Sequence, residues 1–490
     1  MNMTITDLIP LSPLLVVTAT VVLAMLGIAW RRSYSLTATI TISGFLVATI
    51  VAALLLPETR QQVTPLMIVD SLSLLFTLTS CVAALFIAIL AYPYLQELDD
   101  QREEYFLLLA LATVGAVVMV SSNHFVTTVL GLETLSMSLY GMIAYPLHSQ
   151  VAGKYPLEAS VKYLVLSAAA SAFILFGVAL IYAATGTLTF ASLQQGPDGV
   201  IAPLDPMFAV VALTMVAVGI GFKLSLAPFH LWTPDVYEGA PLPSTAYLAT
   251  IGKAAMFVVL LRYVEASDAL AYPAVLSLFT FIAILSMLAG NLLALMQDNL
   301  KRILAYSSIA HMGYLLVALI AGYYASGTLS VEAVLFYLLA YVVMTLGAFG
   351  VASVVSSSAK EFDVIHDYRG LFWREPWLAA IMTGMLLSLA GIPLTVGFIG
   401  KFYVFFAGVE SGLWLLLAAM VIGSGIGLYY YLRIVYRMLM PEKDRDPFRE
   451  GGVESLSSYG VLVLLFVMLI LFGVYPTPLV TLIESTSAGL

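Results

Sequence analysis

Residues 221–241 read GFKLSLAPFHLWTPDVYEGAP and end an apolar run that begins near residue 207. This stretch places Lys223 inside a hydrophobic segment, with Pro228 five residues later. A proline within a helix removes one backbone donor and clashes with the carbonyl four residues back. In lipid, such a break persists only where buried protein or water satisfies the freed backbone groups. The stretch therefore predicts an interrupted membrane helix whose lysine faces a polar interior.

The composition indicates that the bilayer is the main solvent of the chain. Of its 490 residues, 61% are hydrophobic and 10% are charged, whereas soluble domains carry roughly 25% charged and 45–50% apolar residues. The mean hydropathy is +1.01. Because a helix needs roughly 20 apolar residues to cross the hydrocarbon core, little sequence remains for a soluble domain. We expect an all-α, polytopic membrane protein.

Apolar runs between charged or Gly/Pro-rich breaks predict about fourteen transmembrane helices. The first run has no basic segment before it, so we expect a retained helix and not a cleaved signal peptide. All five tryptophans fall at predicted span ends, where an amphipathic ring is best placed among the lipid headgroups: Trp30, Trp232, Trp373, Trp377 and Trp414. The predicted spans are residues 8–30, 35–56, 68–92, 105–120, 124–145, 159–183, 207–231, 242–263, 272–296, 300–322, 331–357, 376–408, 412–437 and 456–476.

The basic residues divide unevenly between the two sides of the predicted membrane. The side taken as the loops after odd-numbered spans receives 14 of the 20 Lys and Arg residues, the other side receives Arg60 and Arg262, and the remaining four lysines are assigned to spans. Because cytoplasmic loops collect Lys and Arg, both termini are expected outside the cytoplasm and the loop 358–375 inside it. The 14 are Arg31, Arg32, Arg102, Lys154, Lys301, Arg302, Lys360, Arg369, Arg374, Arg433, Arg437, Lys443, Arg445 and Arg449.

Short internal similarities suggest an inverted repeat. The sequence LSLA occurs at 224–227 just before Pro228, and again at 387–390 shortly before Pro393. These matches would pair spans 4–8 with spans 9–13, an odd offset that gives the copies opposite orientations, as in many transporters. Matches this short also arise by chance in Leu/Ala-rich sequence, so the residues alone leave the repeat open. The predicted segments are 1–104 with three helices, 105–265 and 266–440 as the two repeats, and 441–490 with the C-terminal helix.

Four lysines and a glutamate within predicted spans need an explanation, because a charged Lys or Asp costs roughly 2.5–3.5 kcal/mol there. Glu133 and Lys253 lie near mid-span. Each could take part in proton transfer. The alternative for Glu133 is a structural hydrogen bond to a neighbouring helix, and the alternative for Lys253 is a side chain that snorkels to the interface. Lys162 lies only a few residues inside its span, so snorkelling is a stronger alternative there. Lys223 and Lys401 lie on the two spans broken by proline, beside helix ends whose partial charges act on an ammonium.

The histidines and the single cysteine limit the other chemistry. His311 lies well inside a span and could relay protons in either protonation state, or it could be a neutral histidine bonded across a helix interface. His230, beside Trp232, is expected at the membrane interface, with a relay role as the alternative. Cys81 alone excludes an internal disulfide and a cluster held by four thiolates. No metal-ligand spacing occurs among the histidines, and no metal, nucleotide or nucleic-acid site is expected.

The longest motifs resemble one known family. The run 221–241, the Glu133 segment, residues 299–314 (NLKRILAYSSIAHMGY) and residues 397–403 (GFIGKFY) are similar to the antiporter-like membrane subunits of respiratory complex I and to multisubunit cation/proton antiporters. The resemblance covers nearly the whole chain. It implies fourteen helices with two inverted five-helix repeats, of which the seventh and twelfth helices are discontinuous.

Within the family, several stretches resemble the bacterial N subunit of NADH–quinone oxidoreductase. They are residues 158–163, 166–171, 368–373 and 427–433. The M subunit is similar in length but usually carries a glutamate where Lys401 stands. The resemblance implies a proton-translocating subunit of an enzyme that couples NADH oxidation to quinone reduction. A redox-free cation/proton antiporter subunit is the alternative, whereas a purely structural scaffold would leave the buried charges unexplained.

The resemblance also implies roles and partners. Glu133 would be the carboxylate partner of Lys223, Lys253 a central relay and Lys401 the exit-side site, with Lys162 a further lysine of the polar axis. FMN, iron–sulfur clusters and quinone would be held by other subunits. The expected partners are the M subunit and the small K-, J- and A-type subunits, in a bacterial inner membrane with both termini on the periplasmic side.

Overall fold

The computed structural model describes residues 5–56, 61–98, 101–145, 154–190, 206–324, 328–358, 361–441 and 455–488. Within them, α-helices dominate, as the sequence predicts. His148, one of the five histidines, lies outside this part of the chain, as do five of the basic residues named above: Arg60, Lys360, Lys443, Arg445 and Arg449.

The described part of the first half contains ten α-helices and one β-hairpin. The helices are α1 Ser12–Trp30, α2 Tyr34–Leu55, α3 Ser71–Tyr94, α4 Glu103–Val120, α5 Phe125–Ala144, α6 Lys154–Thr185, α7 Pro206–Lys223, α8 Trp232–Gly239, α9 Leu242–Tyr247 and α10 Lys253–Ser267. The hairpin pairs β1 Gln61–Thr64 with β2 Met67–Val69 in antiparallel register. It adds a short sheet that the apolar pattern did not predict, and the Ile68 N–H anchors it to the Ser121 carbonyl at 2.9 Å.

The second half is helical throughout its regular elements. They are α11 Pro273–Leu295, α12 Leu300–Tyr324, α13 Leu329–Val355, α14 Leu371–Arg374, α15 Pro376–Ala390, α16 Val396–Glu410, α17 Trp414–Leu439, α18 Leu456–Val474 and α19 Thr477–Ser487. In the described chain, 12 helical segments are long and apolar enough to cross a membrane, and two shorter apolar helices are Met207–Lys223 and Pro376–Ala390. The protein is therefore a multi-pass membrane protein, and the total of fourteen spans stays a prediction.

The interior is built on α12, α13 and the α9–α10 unit. The most apolar window of α12 is completely buried, and those of α13 and of Leu242–Ser267 are buried almost throughout. By contrast, most residues of the corresponding windows in α1 and α18 face outward. Helices α8, α11, α13 and α16 all contact α12. The helix that carries His311 therefore lies at the centre of the protein.

Both predicted breaks occur, and each is closed by a serine. Helix α7 ends at Lys223, and in the irregular segment that follows, the Ala227 N–H donates to Ser286 Oγ at 2.9 Å. Helix α15 ends at Ala390, and the Gly397 N–H donates to Ser388 Oγ at 3.0 Å. These hydroxyls satisfy backbone groups that the interrupted helices leave free, which lipid could not do.

A third irregularity lies on a span predicted to be continuous. The segment 242–263 consists of α9, a π-helical turn at Leu248–Gly252, and α10, which begins at Lys253. A π turn widens the helix by one residue per turn and often marks a functional site. The apolar period did not reveal it, because the turn keeps buried residues on every side.

The structure corrects the expectation for Trp232. Four tryptophans are exposed, but Trp232 is only 3% exposed. Its ring stacks on Tyr163 and Phe222 at centroid distances of 4.9 and 5.2 Å, and its Nε1–H donates to the Phe222 carbonyl. The break after Lys223 turns the chain back into the protein, so α8 packs on α6 and α12, and the Trp232 ring is enclosed by protein instead of facing the headgroups.

Candidate proton pathway

Lys223 lies at the C-terminus of α7 in a pocket of hydroxyls. Its side chain is 7% exposed, and Nζ donates to Ser136 Oγ of α5 at 3.1 Å and to Ser167 Oγ of α6 at 2.6 Å. Tyr140 also donates to Ser167 at 2.8 Å. The partial negative charge of the helix C-terminus favours an ammonium at this position.

Glu133 lies on α5 but makes its hydrogen bond elsewhere. Its Oε1 accepts from Ser171 Oγ at 2.6 Å. Among the described residues, no direct ion pair joins Glu133 to Lys223. Ser167 and Ser171 are four residues apart on α6, so they lie on one face of that helix. The two charged groups are therefore bonded to neighbouring positions of α6, and the pairing that the resemblance implies is indirect in this structure.

Lys253 begins α10 and is 1% exposed. Nζ donates to Ser308 Oγ of α12 at 2.5 Å and lies 5.6 Å from the centre of the Tyr237 ring. The Tyr341 hydroxyl donates to the same serine at 2.7 Å and approaches the Ala249 carbonyl of the π turn at 3.1 Å. The ammonium is thus held by one hydroxyl and one aromatic face, without a carboxylate among its described contacts.

His311 lies three residues after Ser308 on α12 and is 1% exposed. Its Nδ1 is 2.6 Å from the Tyr337 hydroxyl and its Nε2 is 3.3 Å from the Tyr431 hydroxyl. Both ring nitrogens therefore have a partner that can donate or accept. The geometry suits a relay and also suits a neutral histidine bonded across an interface, the two alternatives that the sequence left open.

Lys401 lies on α16 and closes the broken end of α15. Nζ donates to the carbonyls of Leu389 and Ala390 at 3.0 and 2.9 Å, and to Ser424 Oγ of α17 at 2.7 Å. The side chain is 9% exposed. Both broken helices thus end on a lysine, Lys223 within α7 and Lys401 across the break from α15.

Lys162 lies apart from this buried set. Its side chain is 43% exposed, and Nζ pairs with Glu158 at 2.8 Å and with Asp235 at 3.1 Å. Asp235 also pairs with Arg302 at 2.9 Å, which in turn pairs with Glu238 at 2.8 Å. Burial opposes ionisation of Asp235, but hydrogen bonds from Arg302 and Lys162 hold the pKa of its carboxyl below its usual range. The network joins α6, α8 and α12 at the protein surface.

The structure corrects the expected place of His230. The residue is 7% exposed, and its ring lies 6.4 Å from that of Tyr306. Within the described residues, neither ring nitrogen makes a hydrogen bond. The turn after α7 carries His230 inward together with Trp232, so its ring is enclosed by protein and does not face the headgroups. Its relay role stays a prediction.

Two buried ion pairs were missed because their basic residues were assigned to loops. Lys301, at the start of α12, is 2% exposed and pairs with Glu361 at 2.5 Å. Arg262 of α10 is 6% exposed and makes two hydrogen bonds to Asp70, at 2.7 and 2.9 Å. The motif at 299–302 and the position of Arg262 at the end of a predicted span were the available signals. The partner carboxylates are distant in sequence, so nothing in the sequence linked them to these basic residues.

Comparison with known proteins identifies the family. The family described as "NADH:quinone oxidoreductase/Mrp antiporter, TM" matches residues 122–427. The chain belongs to this family. The matched range contains Glu133, Lys223, Lys253, His311 and Lys401. Among the described residues, no group of three His, Cys, Asp or Glu side chains could hold a metal ion.

Solved structures of three complexes contain similar chains. A chain of respiratory complex I from Thermus thermophilus with bound aureothin is 33% identical, with a TM-score of 0.80 over 96% of this chain and 98% of that chain. A chain of an archaeal membrane-bound sulfane sulfur reductase is 24% identical, with a TM-score of 0.84 over 98% and 96%. A chain of the Mrp complex from Dietzia sp. DQ12-45-1b is 20% identical, with a TM-score of 0.87 over 100% and 98%. The last two show the fold alone. The predicted antiporter-like fold is confirmed, and the chain is a membrane subunit of this group of multisubunit complexes.

Proposed function

We propose that this chain is the N-type antiporter-like subunit of a proton-translocating NADH–quinone oxidoreductase. The observation that carries the proposal is the row of buried cations on irregular helices. Lys223, Lys253 and Lys401 are each at most 9% exposed, and each lies at a helix break or π turn. Such groups are expensive in a membrane and mark ion pathways. The similarity to a chain of the Thermus complex supports the redox-linked class.

The hydrogen bonds of the three lysines suit proton exchange. An ammonium can only donate, whereas a serine hydroxyl both donates and accepts. When Lys223 or Lys253 loses a proton, Ser136, Ser167 or Ser308 can therefore turn and donate to the free amine. His311 lies three residues from Ser308 on α12, with hydroxyls at both ring nitrogens. Protons would move along this set from Glu133 and Lys223 through Lys253 and His311 to Lys401.

Redox chemistry belongs to other subunits in this proposal. FMN, iron–sulfur clusters and quinone would be held by partner chains, and the neighbouring membrane chains would be an M-type subunit and the small K-, J- and A-type subunits. The location would be a bacterial inner membrane, with both termini outside. Lys162 and His230 would flank the axis, Lys162 through the surface network of Asp235 and Arg302.

Purification of the native complex through a tag on this chain tests the class. We expect a large assembly that contains flavin, oxidises NADH with quinone and moves protons out across the membrane. The second candidate is a redox-free cation/proton antiporter, because the family includes Mrp antiporters. A smaller flavin-free assembly that exchanges sodium for protons would contradict the proposal and support that candidate.

A further inference from the structure

A buried charge cluster outside the lysine axis lies where the loop after α13 meets α3, α9 and α12. The Lys301 ammonium donates to Glu361 Oε2 at 2.5 Å and to the Ala240 carbonyl at 3.1 Å. The other oxygen of Glu361 accepts from the Leu242 N–H at 3.0 Å and from the Tyr94 hydroxyl. Glu361 therefore contacts three helices at once.

Beside this carboxylate lies a cavity of about 30 Å³, lined by Tyr94, Leu95, Leu98, Pro156, Pro241, Ser358 and Glu361. A cavity holds one water when about 10–15 Å³ is open to a water centre and polar partners are present. Ser358 is 5% exposed, and its hydroxyl has no hydrogen-bond partner among the described residues. The space is large enough for a water that bonds to Ser358 and Glu361 and satisfies that hydroxyl.

Glu361 is also the residue of the cluster that links the buried Lys301 to the protein surface. Its side chain is 16% exposed, whereas that of Lys301 is 2% exposed. Asp363, which is 38% exposed, lies 3.3 Å from Lys301 at the rim. Tyr368 of the same loop is buried and interacts electrostatically with both carboxylates. Within the described ranges, the charged and titratable neighbours of Glu361 are thus Lys301, Asp363 and the hydroxyls of Tyr94 and Tyr368.

The cluster leads to the lysine axis through α9. The Leu242 N–H that Glu361 binds opens this helix, and the chain continues through the π turn to Lys253. At about 1.5 Å per residue, the separation along the helix is roughly 16 Å. Lys301 shares α12 with Ser308, the hydrogen-bond partner of Lys253. Two helices, α9 and α12, therefore extend from the partners of the carboxylate towards the axis.

We propose that Glu361 and the adjacent Ser358 cavity form the site at which protons from the aqueous side are taken up before they reach Lys253. A hydronium ion gives its proton to the carboxylate, an O–H bond forms on Glu361, and water is left. The O–H bond then breaks, the carboxylate is restored, and the proton moves through the cavity water and inward along α9 to the neutral amine of Lys253, where an N–H bond forms. This inference rests on the proposed function and names residues that the axis does not include.

The test measures protons moved per NADH oxidised in membranes that contain the intact complex. Glu361→Gln keeps the size of the side chain and an oxygen that accepts from Leu242, but it cannot carry a proton. We expect Glu361→Gln to lower the number of protons moved per NADH as far as Lys253→Met does. Glu361→Asp, which keeps a carboxylate, should lower it less. Asp363→Asn is the matched control, because it also removes an acidic partner of Lys301 but does not line the cavity. It should keep the normal ratio.

A second pair of variants separates proton uptake from helix anchoring. Ser358→Val fills the cavity and leaves all hydrogen bonds of Glu361 in place, so the ratio should fall in a fully assembled complex. Ser358→Ala, which leaves room for the water, should lose less. If Glu361→Gln prevents assembly, the Ser358→Val result decides, and a normal ratio there overturns the inference.

The two proposals fail differently. A normal ratio in assembled Glu361→Gln, with a reduced ratio in Lys253→Met, would overturn the uptake site and leave the proposed function intact. Normal ratios in both variants would contradict the proton pathway itself.

Discussion

The ammonium of Lys401 lies 2.9 Å from the carbonyl oxygen of Ala390, the last residue of the broken helix α15. A second carbonyl, from Leu389, is 3.0 Å away, and Ser424 Oγ is 2.7 Å away. Carbonyls only accept hydrogen bonds, so they bind N–H groups of either form of the lysine. A neutral amine also has a lone pair, and of these three partners Ser424 alone can donate to it.

Ser424 is therefore predicted to be needed for the neutral form of Lys401. Ser424→Ala should lower the number of protons moved per NADH, while Ser424→Thr, which keeps a hydroxyl, should be close to normal. The measurement is acidification by membrane vesicles during NADH oxidation, with assembly checked by native electrophoresis. Equal ratios for the two variants would show that Lys401 does not depend on this hydroxyl.

Glu133→Ala should reduce proton movement while the complex remains assembled, because the change removes a charge near Lys223 and not a packing element. Ser171→Ala is the control, since it deletes the hydroxyl that binds Glu133 and leaves the carboxylate. We expect a smaller loss for that variant. Full proton movement in assembled Glu133→Ala would exclude a role for this carboxylate.

Asp70→Asn should destabilise the protein strongly, because it leaves the Arg262 guanidinium buried without its anionic partner. Breaking a buried pair in this way costs about 3–5 kcal/mol. Arg32→Ala breaks a pair whose side chains are 56% and 28% exposed, and such surface pairs contribute about 0–1 kcal/mol. The temperature at which the assembled complex disappears from native gels should fall much further for the first variant. Similar temperatures would contradict a stabilising role for the Asp70–Arg262 pair.

Tags at either terminus should be accessible from outside the cell membrane, and a tag in the loop 358–375 should be protected until the membrane is opened. This expectation follows from the uneven distribution of Lys and Arg. A cytoplasmic C-terminus with an external N-terminus would mean that the predicted number of spans is wrong by an odd number.

Much of the helical fold followed from local sequence, because apolar length and proline position act within one segment. The breaks after Lys223 and Ala390 are examples, since a proline disrupts its own helix. The π turn before Lys253 was not predicted, because the residues that form it, Leu248–Gly252, are apolar or small and the period shows no gap.

The positions of the buried lysines were also predictable, because a charge inside an apolar run stands out. Their partners were not. Lys253 is bound by Ser308, which is 55 residues away, and Lys301 by Glu361, which is 60 residues away. Serine is common in membrane helices, so Ser308 does not stand out. Glu361 lies in a loop, where charged residues are expected, so it does not stand out either. Trp232 and His230 were placed wrongly because the chain turns inward after Pro228, and that direction depends on α6 and α12.

Replacement of Lys401 by arginine tests proton transfer through the buried axis most directly. Arginine keeps a positive charge but does not deprotonate in proteins. If Lys401 binds and releases a proton in each cycle, Lys401→Arg should lower the protons moved per NADH nearly as far as Lys401→Ala, in complexes that assemble normally. A normal ratio in assembled Lys401→Arg would contradict the transfer role and leave Lys401 as a fixed charge that holds the end of α15.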